Sequence, residues 1–168
     1  VIEAENDQNI WIKHNQELKK IAQDKSISET NPTFKKTYTK YLSIAYNNEG
    51  AFHIYAEEFE KAILLYKKSF NITTKIKYNY GSALALQNIG TAFDYLGKLD
   101  STLVYMQKAY YYAKLSKDKN NLAYILTDLG FVYNNLGNNS LAIKYNLEAL
   151  PLFEKTNDLE GLERTYFA

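Results

Sequence analysis

Apolar residues recur along this chain at helical intervals, and the pattern itself recurs every forty residues. One stretch reads Leu86-x-x-Ile89-Gly90-x-x-Phe93, and its copy reads Leu126-x-x-Leu129-Gly130-x-x-Tyr133. A looser copy stands at Tyr46-x-x-Glu49-Gly50-x-x-His53. Twelve residues after each glycine comes a small residue, Ala62, Thr102 or Ala142, and seven further on another, Ser69, Ala109 or Ala149. Spacings of three and four put such positions on one helix face. A fixed period in this range marks stacked supersecondary units, none of which can bury its apolar face alone. The glycines and small residues then let paired helices approach where larger side chains would overpack.

The same pattern predicts the elements. Ile10, Trp11, His14, Leu18 and Ile21 have helical spacing, so a helix is expected over about 3 to 24. The polar stretch from Ser26 to Thr33 reads as a loop, with Asn31 or Thr33 capping the next helix and Pro32 in its first turn. That helix should run from about Phe34 to Tyr55. Helix pairs follow at 82 to 95 with 98 to 116, and at 122 to 135 with 138 to 156. Gly97 and Gly137 mark turns within the pairs; Glu57-Glu58 stands at the matching place without a glycine, so that bend should be less tightly specified. Asp118 to Asn121 and Asn157-Asp158 read as polar turns between pairs. Pro151 should kink the helix that contains it.

Three copies in phase resemble the tetratricopeptide repeat, a helix-turn-helix unit with large-x-x-apolar-Gly-x-x-aromatic on its first helix and two small residues on its second. The resemblance covers about 42 to 161, with a partial fourth copy. The period exceeds the family's usual ~34 residues. The family's second-helix proline is replaced by Thr74, Lys114 and Glu154, which fits a longer second helix. The resemblance implies an all-α fold, a right-handed α-α superhelix (a tetratricopeptide solenoid) of stacked antiparallel helix pairs. A single array is expected over 1–168: an N-terminal helix and loop at 3–33, repeats at 34–81, 82–121 and 122–161, and a truncated fourth start at 162–168.

In that family the first helix of each pair lines a concave groove. Carried onto this chain, the inward positions are Ile44, Asn47, Ala51, Ile54 and Tyr55; then Leu84, Gln87, Thr91, Asp94 and Tyr95; then Tyr124, Thr127, Phe131, Asn134 and Asn135. Only Asp94 among them is charged. An amide-rich, aromatic groove suits a peptide backbone with apolar side chains. The family's carboxylate clamp of Lys and Arg is absent from these positions. Arg164, at the second position of the truncated copy, is a single base. A strongly anionic peptide is therefore a poor match.

Composition narrows the chemistry. The chain has 168 residues, 46% hydrophobic and 23% charged, with a net charge of +1. That balance gives no electrostatic footprint for nucleic acid. Cysteine is absent, so disulfides, thiol nucleophiles and thiolate metal sites are excluded. No apolar run approaches the ~20 residues that span a bilayer. The acidic opening, the lack of an initial Met and the stop at Tyr166-Phe167-Ala168 read as a fragment of a longer protein.

His53 and Glu57 are four apart on one helix, but no second His or Cys accompanies them and His53 holds the family's aromatic position. A packed histidine is the reading, with no metal site. Glu57, Glu58 and Glu60 suit a helix start better than acid–base chemistry. The two histidines, His14 and His53, assemble no nucleophilic triad. Of Tyr110-Tyr111-Tyr112, the outer two align with packing positions and Tyr111 with exposed ones. The expected function is a non-catalytic protein- or peptide-binding module without cofactors. Its Asn/Lys/Tyr/Ile-rich repeats look like the sensor-input arrays of Bacteroidetes-type bacteria; as part of a membrane sensor the array would lie outside the cytoplasmic membrane, and otherwise in the cytoplasm. The alternative is a spacer or homodimerisation scaffold joined through the open ends of the solenoid.

Overall fold

The computed structural model describes the backbone of residues 2–167 and the side chains of residues 9–167. Val1 and Ala168, which the expected boundaries include, lie outside the described residues. The described chain forms eight helices and no strand: α1 (Ile2–Ser28), α2 (Pro32–Tyr55), α3 (Phe59–Lys75), α4 (Asn79–Tyr95), α5 (Leu99–Ser116), α6 (Lys119–Asn135), α7 (Asn139–Thr156) and α8 (Leu159–Tyr166). Each helix packs on the next, so the chain builds stacked antiparallel pairs joined by short turns.

The even-numbered helices also touch one another in succession, α2 on α4, α4 on α6 and α6 on α8. Among the described residues no such contact joins the odd-numbered helices. The even helices therefore make the tighter, inner wall of the array, and the odd helices splay along its outside. This is the solenoid arrangement that the forty-residue period implies.

The turns reveal a finer period. Among the described residues six adopt left-handed backbone angles, and they fall every twenty positions: Glu57 (φ 58°), Lys77 (54°), Gly97 (67°), Lys117 (62°), Gly137 (74°) and Asn157 (51°). After most of them the next amide reaches back five residues. Glu58 N–H donates to the His53 carbonyl at 2.8 Å, and Lys98 N–H to the Phe93 carbonyl at 2.9 Å. With a second bond from the amide before it, as Glu57 N–H to the Ile54 carbonyl at 3.0 Å, this closes a helix C-terminus whose last carbonyls lack helical partners. The bend at Glu57 is thus built like those at Gly97 and Gly137, not more loosely. A β-carbon is held in the left-handed region there instead.

Two polar stretches are more helical than their composition suggests. The loop expected from Ser26 to Thr33 shrinks to residues 29–31, because Ser26 and Ser28 donate their hydroxyls to the Gln23 and Asp24 carbonyls within α1. Asn31 caps α2, accepting from Thr33 N–H at 3.0 Å and Phe34 N–H at 3.3 Å. Likewise the run Asp118 to Asn121 is mostly the first turn of α6. Asp118 caps it, accepting from Asn121 N–H at 2.8 Å. α7 continues through Pro151. The proline removes the amide that would bond the Leu147 carbonyl, yet both residues sit on the exposed face, where water can reach that carbonyl.

The repeated glycines do what close packing requires. A β-carbon on Gly50 would lie 2.5 Å from Tyr66 Cε1, one on Gly90 3.0 Å from Met106 Cε, and one on Gly130 2.0 Å from Asn146 Oδ1. Each contact joins an inner helix to the outer helix of its own pair. The small residues Ala62, Thr102, Ser69, Ala109, Ala142 and Ala149 are buried as well. Around them runs a continuous core that includes Tyr66, Leu86, Ile89, Met106, Ile125 and Leu129. A second cluster, with Leu126, Ala149 and the fully buried Phe153, extends it toward α8. Tyr112 stands edge-on to Phe70 and Tyr110 edge-on to Tyr145, while Tyr111 stays exposed.

Candidate functional site

The inner wall carries a groove in three connected stretches. The first, about 200 Å³, lies between α2 and α4 and includes Ile44, Asn47, Tyr78, Tyr80 and Leu84. The second, about 500 Å³, shares Tyr80 and Leu84 with it and adds Gln87, Thr91, Tyr124, Asp128 and Arg164. The third, about 410 Å³, shares Thr91, Asp128 and Arg164 and adds Asp94, Tyr95, Thr127, Phe131 and Phe167. Helices α2, α4, α6 and α8 thus line one channel, floored in its third stretch by Thr102 and Met106 of α5.

Of the residues picked from the sequence, the groove gathers Asn47, Leu84, Gln87, Thr91, Asp94, Tyr95, Tyr124, Thr127 and Phe131, together with Ile44. Five others lie apart from it. Ala51 is half-buried in α2 outside these stretches, Ile54 packs against the core, and Tyr55, Asn134 and Asn135 are exposed at the last turns of α2 and α6. The repeat counterparts of the last four, Asp94 and Tyr95 at the last turn of α4, do line it.

The polar residues of the wall are engaged with one another. Asn88 donates to Asn47 Oδ1 at 3.1 Å, Gln87 donates to Asp128 Oδ2 at 2.6 Å, and the Thr127 and Thr165 hydroxyls lie 2.8 Å apart. Asn48 continues the series toward the N-terminus, donating to Asn15 Oδ1 at 3.1 Å. The first three bonds tie each inner helix to the next, and the last ties α2 to α1. The amides that the sequence offers to a ligand thus also hold the wall together.

Asp128 is the electrostatic centre of the groove. It is buried, accepts from Gln87, and forms an ion pair with Arg164. Burial pushes its carboxyl above the ordinary range, while the Arg164 guanidinium and the Gln87 hydrogen bond pull the other way. Arg164 also lies over the Tyr124 ring, 5.9 Å from its centroid. The Tyr124 hydroxyl donates to Asp158 at 2.9 Å. Burial likewise raises the Asp94 carboxyl. Neither Asp128 nor the engagement of Arg164 was picked from the sequence. The signal was present: Asp128 stands forty residues after Asn88 and eighty after Asn48, a polar column beside the inward positions.

Elsewhere, His53 is half-buried, edge-on to Phe52 and 2.5 Å from a Glu58 carboxylate oxygen. Lys61 and His53 together lower the Glu58 carboxyl. No helix among the described residues is long and apolar enough to cross a membrane.

No family model matches this chain, and no curated protein matches it in sequence. Solved structures do. Aspartyl phosphate phosphatase F from Bacillus subtilis is similar over 93% of this chain and 44% of its own, with a TM-score of 0.74 and 15% identity. BtubC (BKLC) from P. vanneervenii is similar over 92% of this chain and 59% of its own, with a TM-score of 0.71 and 15% identity. The apo form of RapI is similar over 92% of this chain and 46% of its own, with a TM-score of 0.69 and 18% identity. The chain thus spans about half the length of the solved structures it resembles. At such identities the likeness is one of fold: this chain is an all-helical repeat array.

Proposed function

We propose that the chain is a non-catalytic interaction module that holds an extended peptide segment of a protein partner along its inner wall. The observation that carries this reading is the channel itself, continuous from α2 to α8 and lined by aromatic rings and polar groups. A groove with apolar walls and a few placed polar groups is how proteins bind extended ligands. The fold supports it, since stacked repeats build long concave surfaces. The resemblance to bacterial sensor arrays adds a context, the input region of a larger signalling protein, in which an occupied groove would be the signal.

The test is selection of a displayed random-peptide library on the purified chain, followed by amide shift mapping of an enriched peptide. Shifts should cluster on the inner faces of α2, α4 and α6, and Phe131→Ala should weaken binding without unfolding the array. Shifts confined to the odd-numbered helices, or no enriched peptide, would overturn the reading. Turnover of generic phosphate or ester substrates by the purified chain would overturn its non-catalytic part.

A second reading has its own observation. Ile143, Leu147, Leu159, Tyr166 and Phe167 are exposed near the α7–α8 end, Phe167 by 85%. A scaffold that pairs through this end would cover them. Sizing across a concentration series decides: a monomer throughout removes this reading.

A further inference from the structure

We infer that the third stretch of the groove, between α4, α6 and α8, is a subsite for a lysine or arginine side chain of the bound peptide, with Asp94 as its counter-ion. The inference rests on the groove reading above and names what that groove selects.

The cavity holds two carboxylates and one cation, Asp94, Asp128 and Arg164. Arg164 is already engaged with Asp128. Asp94 is left over: among the described residues its carboxylate enters no ion pair and no hydrogen bond. It is half-buried, and that burial alone raises its proton affinity. A carboxylate in such a place gains most from a cation delivered to it. Three exposed rings, Tyr95, Phe131 and Phe167, stand round the same cavity. Aromatic faces attract ammonium and guanidinium groups and also cover the methylene stems that carry them.

Other occupants fit worse. An anionic side chain would meet Asp94 while the one cation is taken. An apolar side chain would cover Asp94 and leave an unpaired charge out of water. At about 410 Å³ the cavity has room for a long side chain and a stretch of its backbone.

The experiment selects a displayed random octapeptide library on the wild-type chain and on Asp94→Asn in parallel. Wild-type protein should enrich peptides with Lys or Arg at one fixed position. In a synthetic version, norleucine for that lysine, or citrulline for that arginine, should weaken binding on the order of tenfold. Asp94→Asn should erase the difference, along with the salt dependence of binding. Because the exchange on the peptide is read with wild-type protein, the result stands even if the variant folds poorly. Enriched peptides lacking a basic residue, or equal binding of the lysine and norleucine forms, would overturn the subsite and leave the groove reading intact. No enriched peptide at all would overturn both.

Discussion

At the scale of single residues, glycine is used here in two unlike ways, and substitutions separate them. Gly50 and Gly90 hold the same repeat position. At Gly50 a methyl group would meet the ring of the buried Tyr66 at 2.5 Å; at Gly90 it would meet the flexible end of Met106 at 3.0 Å. Gly50→Ala should therefore cost about 1–3 kcal/mol by overpacking. Gly90→Ala should be near neutral, because alanine's helix preference offsets a small shift of the methionine. Urea unfolding of the two variants checks the order. Gly97 and Gly137 meet no neighbour but need positive φ. Glu57, Lys77 and Lys117 carry that conformation with a β-carbon. Lys77→Gly should thus stabilise the chain by about 1 kcal/mol; a loss of stability would argue against the left-handed turn. Asp128 gives the pH dependence. Its folded-state proton affinity is raised, so ionisation disfavours the fold. Its contribution to stability is highest in acid and falls as pH rises from the unfolded value of about 3.9 through the raised folded one. Asp128→Asn removes that slope. Wild-type stability minus variant stability should accordingly fall with pH in urea titrations. A rise would mean that the Arg164 ion pair outweighs burial.

At the scale of the helices, much was legible before any coordinates. The paired helices, the packing role of Gly50, Gly90 and Gly130, and the exposure of Tyr111 all follow from residues recurring in phase. The hidden features were those carried by hydrogen bonds rather than by apolar spacing. Ser26 and Ser28 read as loop residues yet bond back into α1, and Asp118 caps a helix that composition placed three residues later. The groove was half legible for the same reason. The family resemblance supplies candidate inward positions, but not that Gln87 joins Asp128 or that Asn47 joins Asn88 across helices forty positions apart. Pro151 offers a test at this scale. It lies inside α7, where proline is about 3 kcal/mol worse than alanine. Pro151→Ala should raise the unfolding midpoint, and a lowered one would show that the proline shapes a packing surface the array needs.

At the scale of the whole molecule, stability is the sum of neighbour-on-neighbour contacts, and among the described residues no contact joins distant helices. Amide hydrogen exchange should be slowest in α4, α5 and α6, flanked on both sides. It should be fastest in α8, which has eight residues and, among the described residues, contacts only α6 and α7. Uniform protection from end to end would contradict this. The twenty-residue recurrence of left-handed turns has a consequence for how such a chain can change length. Adding two units, a full hairpin, lengthens the channel and leaves every downstream residue facing as before. Adding one unit would reverse parity: each later helix of the inner wall would turn outward, and its partner would take its place. Growth by duplication therefore keeps the inner wall in register only in even steps, and an odd step would interrupt that wall at the insertion while every helix still formed.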